Sequence, residues 1–178
     1  MSGWTEDVLS YWFGLDPKQW WNGGAELDAD IAKRFATLWD KQRSRPLSDF
    51  LASARDAVAA IILFDQFPRN MFRGRADQFA TDTLALVIAR QAVERGLDDQ
   101  MSPAERGFLY MPFQHSEDLD DQQRSVALFT ALGDEYQLGF AKKHHEVIER
   151  FGRFPHRNAI LGRAPRPHEI AAGDVVPW

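Results

Sequence analysis

From Leu27 to Phe151 the apolar residues recur at three- and four-residue intervals almost without a break. That spacing stacks side chains on one face of a helix. Valine and threonine are sparse and alternating runs are few, so the chain has little from which to build a sheet. The expected fold is all-α, with about seven helices. The spacing predicts helices near 5–13, 27–42, 48–66, 77–95, 118–132 and 135–151. A further helix starts at the capping box Ser102-Pro103-Ala104-Glu105 and stops before Pro112. Pro68 is expected to end the third helix, because proline lacks the N–H that a helix interior needs. Gly96 is expected as a left-handed helix stop, and the break between two late helices falls at Gly133 or, if the helix runs on, at Gly139. The middle of the 77–95 segment, Leu84–Ala89, is apolar all round and reads as the central helix. From about 163 onward the chain is Pro/Arg-rich and is expected to be mostly irregular.

Phe129, Leu132, Gly133 and Tyr136 fit the opening of a tetratricopeptide repeat with Phe for Trp, although no 34-residue period runs along the chain. The match agrees with an array of superhelical, tetratricopeptide-like helical hairpins. With 178 residues the chain suits a single domain over 1–178, large enough to bury a core without staples. The absence of cysteine excludes disulfides, thiolate metal sites and a cysteine nucleophile. A net charge of −5 argues against non-specific nucleic-acid binding, which needs a basic face. No apolar run approaches the roughly 18 residues of a membrane span. The segment Met1–Asp7 has neither the basic residue nor the apolar run of a secretory signal, so a cytoplasmic location is expected.

Three polar strings could carry chemistry. The first is Asp65-Gln66-Phe67-Pro68-Arg69-Asn70-Met71-Phe72-Arg73. Asp65 continues the apolar face of Ile61 and Ile62, and a carboxylate there needs a partner, with Arg69 or another arginine the natural one. The second is Phe151-Gly152-Arg153-Phe154-Pro155-His156-Arg157-Asn158, whose last five residues echo the first. The third is Pro112-Phe113-Gln114-His115-Ser116-Glu117-Asp118, in which Ser116 reads as an N-cap and the acidic residues favour a helix start. His144 sits inside an apolar stripe and reads as a hydrogen-bonded core residue. No histidine spacing suits a metal, and no glycine-rich phosphate loop or nucleophile elbow occurs, so neither metal nor cofactor is expected.

The strings at 61–70, 112–118 and 151–158, in that order and with Trp12-Phe13 and Leu161-Gly162-Arg163 at the flanks, resemble the domain of unknown function family 924. The resemblance covers nearly the whole chain. It implies an all-helical, tetratricopeptide-related shape and brings no activity, cofactor or catalytic residue. Ala164-Pro165-Arg166-Pro167-His168-Glu169 stands where members usually carry a Ser-Thr-x-Glu-Glu segment, which puts any family role of the tail in doubt here.

Three functions follow. The leading one is a binding protein whose polar pocket takes a small anion or an acidic peptide group, lined by Asp65, Arg69, Asn70, Arg73, His115, Glu117, Arg157 and Asn158, since guanidinium forks suit carboxylate and phosphate. The second is a hydrolase or lyase with His115 or His156 as base and Glu117 or Asp65 orienting it. The third is a closed structural network in a protein-interaction scaffold. The two echoing turns are expected to lie together, with His115-Ser116-Glu117 beside them.

Overall fold

The computed structural model describes residues 3–176, among which there is no strand. The outermost residues of the expected domain, 1–2 and 177–178, lie outside the described residues. The α-helices are α1 (Trp4–Phe13), α2 (Gln19–Asn22), α3 (Gly24–Gln42), α4 (Ala54–Ile61), α5 (Phe67–Met71), α6 (Asp82–Glu94), α7 (Pro103–His115), α8 (Leu119–Leu132), α9 (Glu135–Phe151) and α10 (Pro167–Ala172). A π-turn over Ile62–Gln66 joins α4 to α5 as one rod, which leaves nine helical rods among the described residues where about seven were expected. The additions, α2 and α10, have four and six residues, too short to show a period. Two compact units make up the chain, one ending at Leu109 and one beginning at Tyr110.

In the first unit the rod α4–π–α5 is the centre. Every residue from Ala57 to Phe67 is buried, and Val58 to Asp65 have no exposed surface. The rod opens later than the periodicity predicts because Ser53 caps it, its hydroxyl accepting the Asp56 N–H at 3.1 Å. Residues 47–50 before it form a 3-10 turn. The rod also outlasts Pro68. That proline occupies the first turn of α5, just after the Phe67 N–H has bonded back five residues to Ile62. Four residues before Pro68, the Phe64 carbonyl accepts from the Thr81 hydroxyl at 2.6 Å. The expected central helix is less enclosed: α6 buries Ala85, Ile88, Ala89 and Ala92, and residues 76–79 ahead of it form a separate 3-10 turn. Around the rod pack α1 and α3, with Tyr11 and Phe35 at 5.0 Å, Phe35 and Phe67 at 4.5 Å, and Trp12 edge-on to Phe67 at 5.7 Å. Gly96 is left-handed, with φ 66°, as expected of a helix stop.

In α7 the helix passes through Pro112 to His115 instead of stopping before it. Burial of Leu109, Tyr110, Met111, Phe113 and Gln114 outweighs the lost N–H. At the C-terminus of α7, the Gln122 side-chain amide donates to the carbonyls of Gln114 and Ser116, each at 2.7 Å. The capping box at 102–105 forms as expected: Glu105 Oε2 accepts the Ser102 N–H at 2.8 Å and Ser102 Oγ accepts the Glu105 N–H at 3.3 Å.

In the second unit α8 and α9 form a helical hairpin around left-handed Gly133, with Asp134 capping α9 at Gln137 N. The cap of α8 is Asp118, not Ser116: Asp118 accepts from the N–H groups of Asp120 and Asp121, while Ser116 Oγ donates to Asp121 at 2.7 Å. An aspartate carboxylate has more acceptor capacity for two N–H groups than a hydroxyl. The tail contains α10 where irregular structure was expected. Ala172 and Val175 pack on Val147, Ile148, Phe151 and Phe154, and Glu169 is buried.

Candidate functional site

The first polar string is set by the π-turn. The extra residue in that turn keeps Asp65 on the inner face, fully buried, where Gln66 Nε2 donates to it. One turn on, Arg69 reaches back, with Nη1 3.3 Å from Asp65 Oδ1 and also donating to the Asp65 carbonyl. The rest of its fork closes on Asp82 at the start of α6, Nη1 to Oδ1 at 2.9 Å and Nη2 to Oδ2 at 3.0 Å. Burial opposes the charge on Arg69, but the two carboxylates outweigh it and hold the guanidinium above its ordinary pKa. Asn70 and Arg73 turn to Asp28 on α3: Asn70 Nδ2 donates at 2.8 Å, Arg73 Nε at 2.6 Å and Arg73 Nη2 at 2.9 Å. Burial raises the Asp28 pKa, yet the hydrogen bonds from Arg73 and Asn70 bring it below the usual carboxylate range.

The second and third strings meet within the second unit. Glu117 Oε1 accepts the Phe154 N–H at 2.7 Å. The same carboxylate is gripped at two points by Arg163, Nη1 to Oε2 at 2.6 Å and Nη2 to Oε1 at 2.9 Å. Burial works to raise the Glu117 pKa, but Arg163 and the Phe154 amide lower it further. Arg157 is buried, donates to the His115 carbonyl at 3.0 Å and lies 4.5 Å over the Phe154 ring. Asn158 is also buried, accepts from Arg163 Nε at 3.0 Å and donates to Glu169 at 2.9 Å. His115 and His144 face each other at 6.4 Å, and His144 and His156 flank the Phe154 ring at 5.5 and 5.6 Å.

His144 is the core histidine its stripe suggested, with Nδ1 2.8 Å from the Phe140 carbonyl. Burial and then the neighbouring His115 bring its pKa down to about 3, and burial and then Arg157 bring His156 down to about 4. Both imidazoles are therefore neutral at pH 7. Glu117, expected as an orienting partner for a histidine base, instead faces Arg163 and the Phe154 amide.

Each turn of the sequence reading is thus placed. His115, Glu117, His156, Arg157 and Asn158 come together, while Asp65, Arg69, Asn70 and Arg73 close with Asp28 and Asp82 inside the first unit. Sequence reasoning missed Asp28, Asp82, Arg153, Arg163 and Glu169. Arg163 stands in the Leu161-Gly162-Arg163 string and could have been found there. Glu169 falls where the chain departs from the family pattern, and Asp82 reads only as a charge in a first helical turn. Among the described residues no group of three or more His, Asp or Glu side chains could hold a metal ion.

A model of the family described as "Bacterial protein of unknown function (DUF924)" matches residues 8–172. The chain is also similar to a solved protein of unknown function from Agrobacterium tumefaciens, at 40% identity and a TM-score of 0.88, covering 94% of this chain and 95% of that one. No curated protein matches.

Proposed function

Given that the chain belongs to the DUF924 family of bacterial proteins of unknown function, we propose that it is a protein-interaction scaffold whose signature turns are internal braces. The observation that carries this reading is the two-point matching of guanidinium to carboxylate: Arg69 on Asp82, Arg73 on Asp28, Arg163 on Glu117 and Arg153 on Glu169. A guanidinium that receives an anion presents its fork to the incoming group. In these four the fork already holds a carboxylate of the same unit. On the outer face of α9, Tyr136 is 65% exposed against Phe140, with Lys143 beyond it, which supports a contact role for the hairpin. The superhelical, tetratricopeptide-like arrangement and a cytoplasmic setting belong to this reading. Its support is the α8–α9 hairpin, and no helix of the described residues is long and apolar enough to cross a membrane.

A second reading, a pocket for a small anion or an acidic peptide group, draws on the gathering of His144, His156 and Arg157 around Phe154, with His115 beside His144. Thermal melts separate the two. Under the scaffold reading Arg69→Ala and Arg163→Ala lower the melting temperature, and phosphate, sulfate and C4–C5 dicarboxylates leave the wild-type melt in place. A saturable rise with phosphate or a dicarboxylate, lost in Arg157→Ala, replaces the scaffold reading with the pocket.

A further inference from the structure

Glu169 is the enclosed member of a segment that otherwise lies on the surface. Residues 164–168 and Ile170 are exposed, Ile170 to 66%, whereas Glu169 is 3% exposed. Its carboxylate accepts from Arg153 Nε at 2.6 Å and Nη2 at 2.8 Å, from Asn158 Nδ2 at 2.9 Å, and from the Arg166 N–H at 2.8 Å. Ala172 and Val175 add apolar contact, His168 stacks on Phe151, Arg153 Nη2 donates to the Ala164 carbonyl at 2.8 Å and Arg166 Nη1 to the Phe151 carbonyl at 3.1 Å. The carboxylate is the buried anchor of α10, and it also caps that helix through the Arg166 N–H.

We propose that Arg153 and Asn158 form a binding site for the carboxylate side chain of an acidic peptide, filled in this chain by Glu169 of its own α10 and opened when α10 lifts away. A six-residue helix does not stand alone in water. Withdrawing Glu169 removes its cap as well as its anchor, so release and unwinding occur together, as a two-state element requires. Gly162 and Gly173, with φ of 65° and 72°, bracket the segment at backbone positions that other residues rarely adopt. The open site then offers the Arg153 fork and the Asn158 amide, and it favours a glutamate whose own peptide can form a capped first turn over a free carboxylate ion. The proposal goes beyond internal bracing in making one brace exchangeable, and its failure leaves the other three as they are.

The test uses the full-length chain and a fluorescent peptide of residues 164–176. The Glu169→Gln chain, whose neutral side chain holds the Arg153 fork less firmly, is expected to bind this peptide about tenfold or more tightly than the wild-type chain does. The same peptide carrying Glu169→Gln is expected to bind the variant chain about tenfold more weakly. No binding by a folded Glu169→Gln chain, or equal binding of both peptides, overturns the site. Should that variant fail to fold, hydrogen exchange on the wild type decides. The amides of α10 are expected to exchange roughly 100-fold faster than those of Val147–Phe151 in α9. Equal protection makes the tail a permanent part of the unit and overturns the proposal.

Discussion

Thr81 donates its hydroxyl to the backbone carbonyl of Phe64 at 2.6 Å, the acceptor that Pro68, four residues on, has no N–H to serve. The same oxygen accepts from the Trp39 indole at 3.1 Å, so one buried hydroxyl joins α3, the central rod and the entrance of α6. Thr81→Val keeps the shape but strands the Phe64 carbonyl and the Trp39 N–H. It is expected to cost about 1–3 kcal/mol, while Thr81→Ser retains most of the stability. Urea unfolding of both variants checks this. Equal midpoints for Val and wild type mean that the Phe64 carbonyl needs no outside donor.

Asp65 is expected to behave as half of a buried pair. Asp65→Ala removes one carboxylate from beside Arg69 and is expected to destabilise the chain by roughly 3–5 kcal/mol, the cost of leaving a buried charge short of its partner. Asp65→Asn retains hydrogen bonding without charge and is expected to fall between. Chemical denaturation curves give both values, and an unshifted midpoint for Asp65→Ala removes the claim.

What the sequence made legible was local chemistry. Apolar stripes such as Ile31, Phe35 and Trp39 set α3, and Ser102 with Glu105, Gly96 and Gly133 marked helix ends because a cap acts within a few residues. Pro68 and Pro112 misled because the local rule for proline was overridden from elsewhere, by Thr81 in one case and by burial of the flanking residues in the other. The candidate site divided in the same way. Arg69, Arg157 and Glu117 were visible as members of three polar strings. Asp82, which Arg69 meets, Asp28, which Arg73 meets, and Arg163, which meets Glu117, lie at distances along the chain that no spacing rule reaches. Glu169 was hidden for another reason: the prolines around it suggested mostly irregular structure, whereas Pro167 occupies the first turn of α10.

The second unit is expected to lose stability on mild acidification. His144 and His156 are neutral in the folded chain, with pKa values lowered to about 3 and about 4 by burial and then by neighbouring positive groups. Unfolded, both take up protons below about 6.5. The unfolded state therefore binds more protons from pH 6.5 down to about 4 for His156 and about 3 for His144, and stability falls with pH across that window. The slope approaches about 1.4 kcal/mol per pH unit for His144 and less for the more exposed His156. Glu169 acts at lower pH. Its pKa is drawn down to about 2, chiefly by Arg153, so its contribution is complete above the ordinary glutamate range and is lost as pH falls toward 2. Denaturation midpoints followed from pH 7 to 4.5 report the histidine part, and His144→Leu is expected to flatten the slope. A flat wild-type profile over that range sinks the assignment.

The pair Glu117–Arg163 is expected to couple beyond an ordinary surface ion pair. Its two bonds of 2.6 and 2.9 Å form a fork, both side chains are about three-quarters buried, and the same carboxylate holds the Phe154 N–H, so it fixes the turn after α9 to the segment after α7. Exposed pairs couple by about 0.2–1 kcal/mol. For this geometry a double-mutant cycle of Glu117→Gln and Arg163→Met is expected to give about 1–3 kcal/mol, since each single change leaves a partly buried charge facing a neutral group. Glu117→Gln still accepts from the Phe154 N–H, so its loss isolates the charge from the backbone bond. A coupling energy below about 0.3 kcal/mol, the level at which distant sites simply add, would show that the two residues act separately and that the turn is held by its backbone alone.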